Sequence, residues 1–259
     1  MRLDGMSRAE MTISALILFT ALGWAGLPGS TTGQEPGRSP SLDALKRGFV
    51  AAEKGDHEEA IVHFGVALER ASTSELRFQA LVALGSAETA LGRLEPAREH
   101  FEQALEIKPG HAEALFSLGL IAKGEGKYQE AISLFAAAAV RDPSLGEALV
   151  ELGVVYELLE RHEEAAEACW KAVTVLPEDR GALLCLGVAR YHLGLYQGAA
   201  QAFEAVIEME PDNIRALYGL GLAKLYLEDF DGAMEEYLSL KPLDAALARD
   251  LLLRIPQPD

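Results

Sequence analysis

The sequence predicts an all-α solenoid of about six helix pairs, closed at its C-terminal end by a capping helix. Three positional regularities carry this prediction. A glycine recurs at intervals of 34 residues, with a single interval of 37, at Gly48, Gly85, Gly119, Gly153, Gly187 and Gly221. An alanine follows each glycine by 12 residues, at Ala60, Ala97, Ala131, Ala165, Ala199 and Ala233. Four residues further on stand Phe64, Phe101, Phe135, Cys169, Phe203 and Tyr237. A period of this length is typical of chains that stack one supersecondary unit on the next.

Each unit is expected to be a helical hairpin, because a chain-breaking position separates its glycine from its alanine. These positions are Gly55, Gly92, Gly126, Glu160, Gly194 and Glu228. The recurring glycine and alanine are expected to bring the two helix axes close together, and the aromatic residue to fill the space between hairpins. Proline ends the four middle units at Pro109, Pro143, Pro177 and Pro211. The predicted N-caps of the helices that follow are Ser144, Asp179 and Asp212.

The period and these residue types resemble the tetratricopeptide repeat family over roughly Ser41 to Leu240. The resemblance implies a right-handed superhelix of six repeats, at residues 41–77, 78–111, 112–145, 146–179, 180–213 and 214–240. The first unit departs from the pattern, with Ser72 in place of proline and three extra residues. Residues 241–259 are predicted to form a capping helix and tail, with Leu243, Leu247, Leu251 and Ile255 on one face.

The N-terminal residues 1–27 have the features of a signal peptide or of an uncleaved signal anchor. Met11 to Leu27 is a run of seventeen uncharged residues, preceded by Arg2 and Arg8. Residues 28–40 are predicted to be a flexible linker, because glycine, serine, threonine and proline dominate them. We therefore expect an exported protein, periplasmic or otherwise extracytoplasmic, or one anchored to the membrane by this segment alone.

Charge and cysteine content restrict the classes of partner. The net charge of −17 repels phosphate backbones, which argues against nucleic acid as a partner. Two cysteines, Cys169 and Cys185, are too few for a disulfide scaffold. We expect two separate buried thiols, with a disulfide as the alternative if the domain is exported.

No complete sequence motif indicates catalysis, a cofactor or a metal site. His57 and His162 each begin a His-Glu-Glu segment, but the second histidine that a zinc-protease helix needs four residues later is replaced by Ile61 and Ala166. Gly124 to Tyr128 lacks the upstream glycine and the hydroxyl residue of a phosphate-binding loop. The chain is therefore predicted to be no enzyme, with no cofactor and no metal site.

The resemblance also implies where a partner binds, since in the family the first helix of each repeat lines a concave groove. The corresponding positions are Leu45, Phe49, Val82, Phe116, Leu120, Val150, Val154, Leu184, Val188, Tyr191, Tyr218, Leu222 and Leu225. These residues are apolar, so the carboxylate-clamp function of some family members is not carried over. Two alternatives stay open: the positions are packed between helices, or the C-terminal helix fills the groove.

The functional prediction is a non-catalytic scaffold that binds a protein or peptide partner, whose segment is apolar or amphipathic, and basic if it matches the acidic rims. The alternatives are an accessory or assembly factor of an envelope or secretion complex, and a noncatalytic subunit that positions an enzyme. All three share one fold, so the fold does not decide among them.

Overall fold

A computed structural model describes residues 39–256, and within this range the chain forms thirteen α-helices and no strand. The prediction of an all-α solenoid is confirmed. The helices are α1 (Pro40–Glu53), α2 (His57–Glu69), α3 (Ser74–Ala90), α4 (Leu94–Ile107), α5 (Ala112–Gly124), α6 (Tyr128–Arg141), α7 (Gly146–Leu158), α8 (His162–Val175), α9 (Arg180–His192), α10 (Tyr196–Met209), α11 (Ile214–Tyr226), α12 (Phe230–Leu240) and α13 (Ala245–Arg254).

The helices belong to two compact units, divided after Glu125. In the first unit, consecutive helices from α1 to α5 pack against one another. In the second unit, α6 to α13 do the same, and α11 also contacts α13. Packing between sequence neighbours is what a repeat architecture requires. From α1 to α12 the odd-numbered helices are called A helices below, and the even-numbered ones B helices.

The chain-breaking positions lie at the turns between A and B helices, as the sequence predicted. All six adopt left-handed backbone conformations, with φ between 56° and 82°. Glycine adopts this conformation without a steric penalty, whereas Glu160 and Glu228 carry side chains there and incur one.

The recurring glycine of the A helix makes room for a ring on the B helix. A Cβ atom at Gly85 would lie 2.9 Å from three atoms of the Phe101 ring, and one at Gly187 would lie 2.6 Å from the Phe203 ring. Both rings are buried, as are the alanines four residues before them. The sequence predicted that the glycine and the alanine together bring the two helix axes close. In the structure, the group that lies against the glycine is the aromatic ring, which a methyl group at the glycine would displace.

The N-caps agree with the sequence at one position of three. Asp179 accepts a hydrogen bond from the Ala182 amide, as predicted. The predictions at Ser144 and Asp212 are wrong, because the two helices begin later: Leu145 precedes α7 without a side-chain cap, and Asn213 caps α11.

His111 caps α5, accepting a hydrogen bond at Nδ1 from the Ala114 amide at 3.3 Å. Burial lowers the pKa of this imidazole, and Lys108 lowers it further, against the opposing effect of the Glu113 and Glu75 carboxylates. The lowered pKa favours the neutral ring, which is the form that can accept at Nδ1.

Cys169 on α8 and Cys185 on α9 form a disulfide, with 5.6 Å between their Cα atoms. The prediction of two separate thiols is therefore wrong. The two residues lie on consecutive helices, and both side chains point at Gly153 of α7, where a Cβ atom would lie 2.6 Å from the Cys185 sulfur. The absence of a side chain at Gly153 provides the space in which the sulfurs meet.

The C-terminal helix α13 begins after Asp244, whose carboxylate accepts from the amides of Ala246 and Leu247. It buries Ala248 and Leu251 in a cluster with Leu217 and Leu240. Residues 1–38 and the last three residues lie outside the described range. The predicted signal segment, residues 1–27, and most of the predicted linker, residues 28–40, therefore lie outside it. Within residues 39–256, no helix combines the length and the apolar character that a membrane span requires.

Candidate protein-binding site

In the first unit, three of the five predicted groove residues are core residues. Leu45, Val82 and Phe116 are at most 5% exposed, so the prediction of an accessible surface is wrong for them. Leu45 packs in the same buried cluster as Phe64, and Val82 lies in a run of six consecutive buried residues on α3. An apolar residue that faces a neighbouring helix and one that faces solvent have the same sequence signature, which explains the error. Phe49 and Leu120 are partly exposed.

In the second unit, all eight predicted residues retain access to solvent. They occupy equivalent positions on α7, α9 and α11, one repeat apart, and we call them the A-helix stripe: Val150, Val154, Leu184, Val188, Tyr191, Tyr218, Leu222 and Leu225. Val188 is the most exposed at 37%, and the other seven are partly buried. Val150 and Val154 also pack against the buried cluster that contains the Cys169–Cys185 disulfide, so part of each side chain is covered.

The C-terminal helix α13 contacts one end of the A-helix stripe. The Tyr218 hydroxyl donates a hydrogen bond to Asp250, whose carboxylate also accepts from the Arg254 guanidinium at 2.8 Å. Arg254 holds the pKa of Asp250 below its usual range, and burial raises the pKa of Tyr218. The helix therefore covers part of the stripe on α11, whereas Val188 on α9 remains exposed.

Three tyrosines meet at the turns that connect A and B helices, and one of them, Tyr191, belongs to the A-helix stripe. The Tyr196 and Tyr226 rings stack with centroids 4.4 Å apart, and both meet the Tyr191 ring edge-on at 5.7 Å. Burial and the Tyr226 hydroxyl raise the pKa of Tyr191 to about 12. Three apolar residues close to these tyrosines in sequence are exposed: Leu195, Leu227 and Phe230. The sequence predicted Tyr191 as a groove residue but neither Tyr196 nor Tyr226.

A cleft of about 430 Å³ lies among α6, α7 and α8 of the second unit. It is lined mainly by apolar side chains, including Val140, Leu152, Trp170 and Val175. Val140 and Trp170 are both exposed. Trp170 directly follows Cys169 on the B helix, and no equivalent tryptophan in the other repeats signals the cleft, so the repeat pattern could not predict it.

Titratable side chains form one compact group of potential metal ligands in the described part of the chain: Glu157, His162 and His192. The sequence predicted no metal site. That prediction considered only histidines four residues apart on one helix, whereas these three residues come from the ends of α7, α8 and α9.

The family comparison agrees with the helical architecture. Two models of the tetratricopeptide repeat match the chain, one at residues 41–110 and the other at residues 77–146, 116–182, 171–214 and 184–248. No curated protein matches the chain in sequence.

Solved structures of tetratricopeptide proteins share the fold. PilF of Pseudomonas aeruginosa is 21% identical, with a TM-score of 0.71 over 83% of this chain and 97% of its own. PilW, described as a widely conserved type IV pilus biogenesis factor, is 18% identical, with a TM-score of 0.67 over 83% and 100%. YrrB, described as having an unusual peptide-binding site, is 24% identical, with a TM-score of 0.65 over 73% and 97%. Since the repeat models together span most of the chain, it belongs to the tetratricopeptide repeat family.

Proposed function

We propose that the chain is a non-catalytic scaffold, which binds an apolar or amphipathic segment of a partner protein along the A-helix stripe of the second unit. The observation that carries the proposal is the repetition of accessible apolar side chains at equivalent positions of α7, α9 and α11. An apolar surface that recurs with the repeat suits a helix or an extended segment, because such a ligand presents apolar side chains at regular intervals.

The net charge of the chain indicates which type of residue should flank the apolar part of the partner segment. With a net charge of −17, the protein attracts cations and repels anions at long range. Basic residues beside the apolar anchors of the partner would increase the rate of association, and this contribution would weaken with added salt.

Two observations support a location outside the cytoplasm. The Cys169–Cys185 disulfide is of a kind that persists in oxidising compartments and is rare in the cytosol. The uncharged run Met11 to Leu27, with Arg2 and Arg8 before it, is typical of an export signal or anchor. The alternative function, an accessory factor of an envelope or secretion complex, shares this location.

Affinity capture from envelope extracts tests the stripe. The full chain is compared with Val154→Glu plus Val188→Glu, which places two carboxylates among the apolar side chains. Ser133→Glu plus Gln201→Glu is the matched control, because it adds the same charge at exposed positions of the B helices α6 and α10. Circular dichroism verifies that both variants are folded. We expect the stripe variant to lose the partners that the control retains; partners that survive in both variants would contradict the proposal.

The cleft at Trp170 is the second candidate surface, because an exposed tryptophan beside an apolar cleft is typical of an interaction hot spot. Trp170→Ala in the same capture experiment separates the two. Loss of the partners in this variant alone would assign binding to the cleft instead of the stripe.

Fractionation of a reporter fused after Glu35 tests the location. We expect the fusion in the envelope or outside the cytoplasm. A wholly cytosolic and uncleaved fusion would contradict export.

A further inference from the structure

We propose that Glu157, His162 and His192 form a binding site for a divalent transition-metal ion of the Zn²⁺ type. The site is distinct from the A-helix stripe but adjoins it, because the His192 ring meets the Tyr191 ring of the stripe edge-on, with centroids 5.6 Å apart. It lies entirely within the second unit, at the turn between α7 and α8 and at the end of α9.

The donor atoms converge on the Glu157 carboxylate. Nδ1 of His192 lies 2.6 Å from one carboxylate oxygen, and Nδ1 of His162 lies 3.2 Å from both. One ligand atom from each residue lies within 4.8 Å of the others. Zinc binds imidazole nitrogen and carboxylate oxygen at roughly 2.0–2.2 Å, so its ligands stand about 3–3.5 Å from one another. The two histidine–carboxylate distances are close to that spacing, and the ligand atoms of the two histidines lie within 4.8 Å of each other.

The donor set is one that zinc and related ions prefer. Two imidazoles and one carboxylate supply three protein ligands, which leaves a fourth position for water or for a ligand from another molecule. Mg²⁺ and Ca²⁺ prefer sites made of oxygen ligands, so the two nitrogens disfavour them. The repeat places the donors on ordered backbone, since all three lie in the terminal turns of helices.

The repeat architecture explains why residues 35 positions apart meet here. Glu157 and His192 lie near the ends of consecutive A helices, and His162 begins the B helix between them. The positions 34 residues further on hold Tyr191, Tyr196 and Tyr226, and those three side chains are also in contact. Side chains at these three positions are therefore in contact in two successive repeats. In the earlier repeat, the side chains in contact are of types that bind metal ions.

Burial favours a metal over a purely solvated cluster. The Glu157 side chain is 13% exposed, that of His162 is 27% and that of His192 is 42%. The carboxylate is thus largely shielded from water, where its attraction for a cation is less screened. His192 remains open enough for an ion to enter and for the imidazole to rotate. Among the described residues, the side chains that hydrogen-bond to the Glu157 carboxylate are these two imidazoles.

Titration with ZnCl₂ tests the proposal, using full-length protein without a histidine tag, treated with EDTA and then freed of it. Isothermal titration calorimetry measures affinity and stoichiometry, and the visible absorption of added Co²⁺ reports tetrahedral coordination. We expect one ion per chain. We expect His162→Ala, His192→Ala and Glu157→Gln each to weaken binding at least tenfold, with circular dichroism to verify that the variants are folded.

The control is His100→Ala. His100 Nδ1 lies 2.7 Å from the Glu88 carboxylate, so this pair has the same chemistry, but among the described residues it is not part of a group of three potential ligands. We expect this variant to bind as the unmodified chain does. A wild-type protein that binds no Zn²⁺, or a His162→Ala plus His192→Ala variant that binds it as tightly as wild type, would overturn the proposal.

Discussion

Replacing Gly85 by alanine tests how closely the helices of a repeat approach each other. The new methyl would lie 2.9 Å from three atoms of the Phe101 ring, whereas carbon atoms in contact are normally about 3.5–4.0 Å apart. Phe101 is buried, so its ring has no free space into which to retreat by roughly 0.6 Å or more. Overpacking of a core typically costs about 1–3 kcal/mol. Alanine recovers up to about 1 kcal/mol through its better helix propensity. After this recovery, the expected net loss is up to about 2 kcal/mol in the free energy of unfolding.

Gly65 provides the matched control in the same unit. It also lies inside a helix, but a Cβ atom there would have no neighbour within 4 Å. Gly65→Ala should therefore raise the free energy of unfolding by roughly 0.5–1 kcal/mol. Urea denaturation followed by circular dichroism measures both variants. In a double-mutant cycle, Phe101→Leu should reduce the cost of Gly85→Ala, because the smaller side chain relieves the contact. If Gly85→Ala stabilises the protein as Gly65→Ala does, the packing argument is refuted.

Three further predictions concern turns, the disulfide and a helix cap. Glu160→Gly should stabilise the second unit by about 0.5–1 kcal/mol and Gly194→Ala should destabilise it by about 1 kcal/mol, both measured by urea denaturation, because both positions have positive φ. Reduction of the Cys169–Cys185 disulfide should lower the free energy of unfolding by about 3 kcal/mol, because the bond closes a loop between residues 16 positions apart. Urea denaturation with and without reductant measures this loss. His111 has a lowered pKa in the folded chain, so its contribution to stability is present above the unfolded pKa of about 6.5 and is lost as the pH falls through the folded pKa. Asparagine can cap a helix but does not titrate. His111→Asn should therefore reduce the pH dependence of the melting temperature.

Distinct outcomes would contradict each of these. A loss of stability in Glu160→Gly would mean that its side chain has a role that outweighs the backbone strain. Alkylation of both cysteines in denatured, unreduced protein would show that the disulfide does not form. A melting temperature of His111→Asn that falls with pH as steeply as that of wild type would mean that other groups determine the acid response.

The repeat register was predictable from sequence because it depends on local chemistry. A turn that needs positive φ selects glycine, and the common spacing identified Glu160 and Glu228 as turn residues despite their side chains. Helix starts were less predictable, because neighbouring polar residues compete to cap the same amides. Asn213 caps α11 where Asp212 was expected, a shift of one residue.

The candidate sites were harder to predict, because exposure and contact depend on neighbouring repeats. Val82 and Val150 occupy equivalent positions of their A helices, yet the first is buried and the second partly exposed. The disulfide depends on the empty space at Gly153, which no pairwise cysteine spacing reveals. The group of Glu157 and His192 joins residues one repeat apart, and local motif searches do not examine such pairs.

Site-specific photo-crosslinking tests the central claim, that the A-helix stripe binds a partner protein, most directly. A photoreactive phenylalanine analogue is incorporated at Val188, the most exposed residue of the stripe, and in separate chains at Trp170 and at the exposed Gln201. Irradiation of intact cells, followed by mass spectrometry, identifies what lies within reach of each position. We predict a crosslinked partner at Val188 and none at Trp170 or Gln201. Crosslinks at Trp170 with none at Val188 would contradict the claim.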